Sequence, residues 1–311
     1  MQEKILVIKL SALGDFILAL GAMEAIRRHH KDAHITLLTT KLFVDMAQRS
    51  QYFDEIWTDP RPRLADFKAW IGLFKKLNSG QFTRVYDLQM NDRTRLYHAL
   101  FLKKPEWSGV IRGTSHFHPD PNYKQLHAFE RHKQVLKTAG IDVTLPDISW
   151  MASDISMLRP KKPYILLIPG SAPQHPQKRW PALRYGALAG KLLQQGYEVA
   201  VLGTQAESGV IDIIKKSCSG IIDLSGKTSF YDIATLAREA AGAVGNDTGP
   251  THLISLAGCP TTVLFSGASR PELSAPVGDV QIIQSDDIAD IQTQDVLNAM
   301  RLHKSAQEQA S

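Results

Sequence analysis

Read for the spacing of its apolar positions, the chain alternates between two kinds of segment. Short runs rich in Ile, Val and Leu are each followed by a longer stretch in which apolar residues recur every three or four positions. "KILVIKL" (4–10) precedes a helical pattern over about 15–29, "HITLL" (34–38) a further short helix, and "RVYDL" (84–88) a helix starting near Asn91. After the Pro/Lys-rich "LRPKKP" (158–163) the series restarts. "YILLIPG" (164–170) predicts a strand, Pro181 opens a helix ending near Gly196, and "YEVAVLG" (197–203) leads into a helix reaching about Ser217. "GIIDL" (220–224), a helix over 230–241, "GAVGN" (242–246), a helix over 251–257 and "TTVLF" (261–265) follow. Apolar runs of this kind suit strands covered on both faces, and their alternation with helices argues for parallel sheets in an α/β protein. Two series joined by "LRPKKP" predict two Rossmann-like domains, 1–157 and 158–311, facing each other across a cleft. The last helix could pack back on the first domain.

In open α/β sheets ligands bind beyond the carboxyl ends of the strands, which directs attention to three loops. "GNDTGPTH" (245–252) leaves a strand and enters a helix, with Pro250 suited to the first turn. Free amides and the positive end of the helix dipole make such a start an anion site. A plain cap would need one oxygen-bearing residue, whereas Asp247, Thr248 and Thr251 occur together. Gly249 permits close approach of backbone to a ligand, and His252 lies in the first turn. A diphosphate would satisfy this arrangement. In "PGSAPQHPQKRW" (169–180), Lys178 sits just ahead of a helix start, where a cation is mildly unfavourable unless a phosphate reverses the penalty. In "LSALGD" (10–15), Asp15 falls at a helix start, as a cap or as a carboxylate base; the helix N-terminus would lower its pKa and weaken it as a base. Two other motifs fail. "DTG" occurs once, in an α/β pattern, whereas aspartic proteases need paired carboxylates. "SGKTS" (225–229) lacks the P-loop spacing, Gly220 lying one residue too far from Gly226.

The chain has 311 residues, 43% hydrophobic and 22% charged, as expected of a folded globular protein. Neither a signal peptide nor a transmembrane run is expected. Cys218 and Cys259 show no metal or redox spacing and fit a reduced cytoplasm. The net charge is unevenly placed: residues 1–160 hold 23 Lys+Arg against 17 Asp+Glu, whereas residues 161–311 hold 13 against 14. An anionic partner of the first half, such as a membrane surface or phosphorylated lipid, would use that excess. Aromatic–basic interleaving and a recognition helix are missing from the pattern, so a nucleic-acid partner is not expected.

Taken together, "IKLSALGDFILALGAMEAIRR", "PGSAPQHPQKRWP" and "VGNDTGPTHLISLAGCPTTVLF" resemble, in order and spacing, the ADP-heptose-using heptosyltransferases of lipopolysaccharide core synthesis. "HAFERHKQVLKTAG" (127–140) resembles that family's mid-chain His-x-x-Glu-Arg segment. The resemblance implies a GT-B fold and an inverting, metal-independent glycosyltransferase without a cofactor. It places Asp15 as the base that deprotonates the acceptor hydroxyl. Lys178 would hold the donor diphosphate, Asp247 would lie near the donor sugar, and Thr248, Gly249 and His252 would belong to the phosphate loop. Gln205, with Glu207 two residues on, stands where members contact the ribose, and Thr228 where some carry a methionine under the adenine. Lys9, Arg61 and Arg63 stand on the acceptor side, "DPRPRLADFKAW" resembling the family's basic acceptor segment; Arg93, Arg95 and Arg112 also lie in the basic half. Glycosyl transfer needs a base and stabilisation of the leaving diphosphate. No Asp-x-Asp occurs, so a helix dipole and Lys178 are expected to replace a metal, and His116, His118, His127 and His132 lack ligand spacing. The implied acceptor is an anionic Kdo- or heptose-containing lipopolysaccharide precursor, reached from the cytoplasm by transient contact with the inner membrane. The alternatives are a related transferase with another sugar or acceptor, or a non-catalytic nucleotide-sugar-binding protein.

Overall fold

The computed structural model describes residues 2–161, 163–172 and 174–303. Contacts divide the chain into two units, Met1–Trp150 and Met151–Ser311. The division falls ahead of "LRPKKP" because the preceding segment is already tied into the second unit. Ser153 Oγ donates to Asp232 Oδ1 at 2.5 Å, and Arg238 Nη1 donates to the Met151 carbonyl at 2.8 Å.

The first unit follows the chain as β1 (Lys4–Ile8), α1 (Leu13–His29), β2 (His34–Thr39), α2 (Val44–Ser50), β3 (Glu55–Thr58) and α3 (Phe67–Ser79). It continues with β4 (Arg84–Asp87), α4 (Asp92–Leu100), β5 (Glu106–Gly109), β6 (His116–Phe117) and α5 (Ala128–Lys137). The strands form one parallel sheet in the order β3-β2-β1-β4-β5-β6. Ile5, Leu6, Val7 and Ile8 of the central β1 are fully buried, as continuous apolar runs in a doubly covered sheet should be. Leu6, Ile8, Val85 and Trp107 pack with Leu73 and Leu77 of α3 and Tyr97 of α4.

The second unit repeats the plan with β7 (Tyr164–Ile168), α6 (Ala182–Gln194), β8 (Glu198–Val201), α7 (Ser208–Ser217), β9 (Ile222–Asp223) and α8 (Phe230–Glu239). Then come β10 (Gly242–Asn246), α9 (Gly249–Leu256), β11 (Thr261–Ser266), α10 (Pro271–Ser274), β12 (Val280–Ser285) and α11 (Thr293–Ala299). The parallel order is β12-β11-β10-β7-β8-β9. Its core sets Ile165, Leu167, Val199, Val201 and Val244 against Tyr185, Leu188 and Leu192 of α6 and Ile211 and Ile214 of α7. The last helix, α11, packs on α6 and β12 of this same unit.

Both sheets therefore have Rossmann-type order, and the direction of strand succession reverses between β1 and β4 in one and between β7 and β10 in the other. Loops leaving the two strands of such a switch point diverge and leave a crevice at the carboxyl edge. In the second unit those loops are 169–181 and 247–248, two of the three that the sequence singled out.

Candidate functional site

The second switch point is held by a neutral amide. Asn246, the last residue of β10, is fully buried. Its Nδ2 donates to the carbonyls of Pro169 (2.8 Å) and Gly170 (3.3 Å), beyond the end of β7. Its Oδ1 accepts from the Trp180 amide at 3.1 Å and lies 3.0 Å from the Tyr185 hydroxyl. One side chain at the end of β10 thus ties both ends of the 169–181 loop and the first turn of α6. Gly245 lets the neighbouring layers approach: a Cβ there would stand 2.7 Å from Thr251 Oγ1 and 3.0 Å from Ile168 Cβ.

Above this floor the charged residues converge. Lys178 Nζ donates to Asp247 Oδ2 at 2.7 Å, Ser269 Oγ donates to the same oxygen at 2.9 Å, and His252 Nε2 stands 3.8 Å from Oδ1. The Asp247 side chain is 8% exposed and that of Lys178 23%. Burial pushes the Asp247 carboxyl up, but the His252 ring, the Lys178 ammonium and the Ser269 hydroxyl outweigh it and hold it down at about 2. Asp247 is therefore a carboxylate at any physiological pH. His252 Nδ1 is buried and has no hydrogen-bond partner among the described residues.

A simple helix cap would place a side-chain oxygen on the first amides of α9, and the structure departs from that. Thr248 occupies the cap position with no side-chain cap hydrogen bond, and Asp247 is turned to Lys178. The anion site is also narrower than the sequence suggested. Thr251 N and His252 N already donate to the Thr248 carbonyl (3.0 and 3.3 Å), and Pro250 has no amide hydrogen. The positive groups on offer are the Gly249 amide, the helix dipole and Lys178.

The nucleoside candidates lie further along the same strand edge. Glu207 Oε2 accepts from the Thr204 amide at 2.8 Å, closing a capping box before α7. Its Cγ would be 2.9 Å from a Cβ on Gly170, so the β8 loop touches the β7 loop. Gln205 is exposed, and its Nε2 would lie 2.8 Å from a Cβ on Gly226 in the β9 loop, which leads to Thr228. From β10 through β7 and β8 to β9 is three strand spacings, about 14 Å. That is the length scale of an extended nucleoside diphosphate.

In the first unit, Asp15 is the third residue of α1, and its Oδ2 accepts from the Ala12 amide at 3.2 Å, the capping role open to it. Lys9 lies inside the unit rather than on an open acceptor surface. It is 4% exposed, with Nζ donating to the Leu88 carbonyl at 3.1 Å. Burial lowers it to about 8 against the opposing pull of Asp15. Arg61 and Arg63 are exposed. Arg93 is engaged with the Pro62 carbonyl at 3.2 Å, while Arg95 and Arg112 line a cavity of about 870 Å³ with His118, Tyr123 and Lys124. Asn246 and Ser269 were missed by sequence reasoning. A polar residue closing the apolar run "GAVGN" was the available signal for the first; a loop serine gave none for the second.

A model of glycosyltransferase family 9 (heptosyltransferase) matches residues 70–301. The chain belongs to that family. A lipooligosaccharide heptosyltransferase 2 from Haemophilus influenzae is 31% identical over 124 residues, 38% of this chain and 35% of that protein. The chain spans less than half the length of the curated relatives it matches. Among solved structures, a family 9 glycosyl transferase from Veillonella parvula has a TM-score of 0.79 and 21% identity, covering 96% of both chains. The ADP-heptose LPS heptosyltransferase II of E. coli has a TM-score of 0.70 and 21% identity, covering 95% of this chain and 97% of that one. At these identities the structural likeness is one of fold, and it agrees with the GT-B class of two Rossmann-like units.

Proposed function

We propose that this family 9 protein is a metal-independent, inverting glycosyltransferase. It moves heptose from ADP-heptose to a Kdo- or heptose-containing lipopolysaccharide inner-core acceptor, at the cytoplasmic face of the inner membrane. The observation that carries the reading is the Lys178–Asp247–Ser269 constellation at the second unit's switch point, beside the uncapped start of α9. In this reading Lys178, the Gly249 amide and the α9 dipole take up the negative charge that grows on the departing ADP. Asp247 and His252 face the sugar side, and Gln205, Glu207 and Thr228 the nucleoside. Asp15 accepts the proton of the acceptor hydroxyl as that oxygen bonds to the anomeric carbon and the carbon–diphosphate oxygen bond breaks on the opposite face. Arg61, Arg63, Arg95 and Arg112 supply cations for acceptor carboxylates or phosphates.

The test is thermal unfolding with ADP, UDP, GDP and CDP, with Lys178→Ala alongside, followed by a transfer assay with ADP-heptose. Saturation near 100 times Kd adds about 2.7 kcal/mol. A shift with ADP that is lost in the variant, followed by turnover, is the expected result. A shift with UDP or GDP instead would replace the donor, and no turnover with ADP-heptose would remove the transferase assignment.

A further inference from the structure

Helix α3 carries apolar residues on two opposite faces, and one of them is bare. At 3.6 residues per turn, Phe67, Ile71 and Lys75 fall within about 80° of arc, while Leu73 and Leu77 lie about 200° and 240° round from Ile71. Leu73 and Leu77 are buried in the core of the first unit. On the other side Phe67 is 76% exposed and Ile71 55%, and Leu64, in the turn just ahead, is 81% exposed. That turn is fixed. Asp66 N donates to the Arg63 carbonyl at 2.9 Å, Trp70 Nε1 donates to the same oxygen at 3.0 Å, and Asp66 caps the helix through the Ala69 amide. Leu64, Phe67 and Ile71 are thus presented on a rigid support, and a concentrated apolar patch of this kind marks an interaction surface.

The charges around the patch define its partner. Residues 60–79 hold Arg61, Arg63, Lys68, Lys75 and Lys76 against the single acid Asp66. Lys76 is engaged over the Trp57 ring, whereas Arg61, Arg63, Lys68 and Lys75 are exposed. A second copy of the chain would bring this cationic rim against itself in a two-fold contact. Apolar side chains ringed by cations fit an anionic bilayer, where the side chains enter the headgroup–acyl boundary and the cations meet lipid phosphates. Among the described residues no helix is long and apolar enough to cross a membrane.

We propose that Leu64, Phe67 and Ile71, with Lys68 and Lys75, form the face by which this chain docks on an anionic lipid surface. The inference deepens the proposed function by giving a lipid-borne acceptor a landing face, and its test is separable from that function. The full chain is sedimented with vesicles of phosphatidylcholine alone and of phosphatidylcholine with about 30% phosphatidylglycerol. Wild type, Leu64→Ser/Phe67→Ser/Ile71→Ser and Lys68→Glu/Lys75→Glu are compared, with ADP-dependent thermal shift as the measure of an intact donor unit. Binding to the anionic vesicles only, weakened at least tenfold in both variants with the ADP shift preserved, is the expected outcome. Equal binding by wild type and variants would overturn the proposal, as would failure of the wild type to bind. A dimer seen by light scattering and lost in the triple variant would assign the face to a second copy instead. An absent ADP shift in wild type would count against the donor reading and leave the vesicle result standing by itself.

Discussion

Replacing Lys178 with methionine removes the ammonium 2.7 Å from a carboxylate that is 8% exposed, and the carboxyl's own titration sizes the consequence. Burial pushes Asp247 up, yet its neighbours hold it at about 2, below an ordinary 3.8. At about 1.4 kcal/mol per pH unit, that fall is worth on the order of 2 kcal/mol to the folded state. Asp247 titrates lower folded than unfolded, so the unfolded chain binds more protons between about 4 and 2. Its stabilisation is complete above 3.8, about half gone at pH 3 and lost below about 2. Lys178 shares this effect with His252 and Ser269 but brings a full charge at contact distance. Its loss is expected to cost about 2 kcal/mol at pH 7, within the span of about 1.5–3 kcal/mol for hydrogen bonds to charged groups. In the variant Asp247 moves back toward 3.8, so the difference from wild type narrows in acid. Urea unfolding followed by tryptophan fluorescence, at pH 7 and about pH 3, reads this directly, because Trp180 lies buried in the same loop. A penalty of equal size at both pH values would show that methionine disturbs the loop sterically, and the ion-pair reasoning would be wrong.

Four further outcomes are expected. Asp15→Asn should lower turnover by at least a hundredfold, the scale of general base catalysis, with ADP affinity unchanged by calorimetry; retained turnover would remove Asp15 as the base. Asp247→Asn should tighten ADP binding several-fold, because the carboxylate that occupies Lys178 is gone; weaker binding would show that the carboxylate is needed to aim the lysine. Asn246→Ala should cost about 2–3 kcal/mol in urea unfolding, since it orphans the Trp180 amide and two loop contacts, and a loss under about 0.5 kcal/mol would refute its role as the floor of the site. Lys9 titrates near 8 in the folded chain against 10.5 ordinarily, burial being the main cause. The unfolded state therefore binds more protons across that window, and stability should rise with pH from about 8 to 10.5. Lys9→Met should lose that rise, and an unchanged pH profile would contradict the burial argument.

The central strands were legible because their apolar runs are continuous: β1, β2, β7, β8, β10 and β11 all fall where the pattern predicted them. What went unread lies mainly at sheet edges and in short elements. β3 is four residues, "EIWT", with both ends exposed, and β12 alternates along "VQIIQS" with only half-buried or exposed positions. Edge strands bury one face at most, so composition marks them weakly. In the candidate site, Lys178, Asp247 and His252 were predicted from loop position and resemblance, and the fold brings them together. Their mutual pairing was not readable. A sequence gives the residues of a helix start but not whether Asp247 turns inward as a cap or outward to a lysine 69 positions away. Lys9 stands on the acceptor side by resemblance alone, and its burial was not readable: the partner that holds it inside, the Leu88 carbonyl, is 79 positions away.

The same strand order gives each unit a crevice, and what fills it differs in kind. In the first unit the β1–β4 switch point is occupied by ionisable groups buried in its own interior. Lys9 Nζ and His132 Nε2 both meet the Leu88 carbonyl at 3.1 Å, and burial raises the adjacent Asp87 carboxyl to about 6. Burial also lowers His132 to about 3. A neutral imidazole donates to that carbonyl and leaves the ammonium as the single charge upon it. In the second unit the corresponding place is held by the neutral Asn246 amide, which satisfies its partners without any charge. Lys178 and Asp247 pair above that floor, and under the proposed function a ligand's phosphates would compete with the carboxylate for the ammonium, the more exposed partner at 23%. A charged floor would have placed a second fixed potential beneath that pair. With a neutral floor, the Lys178–Asp247 bond is the contact whose exchange a diphosphate would drive under the proposed function.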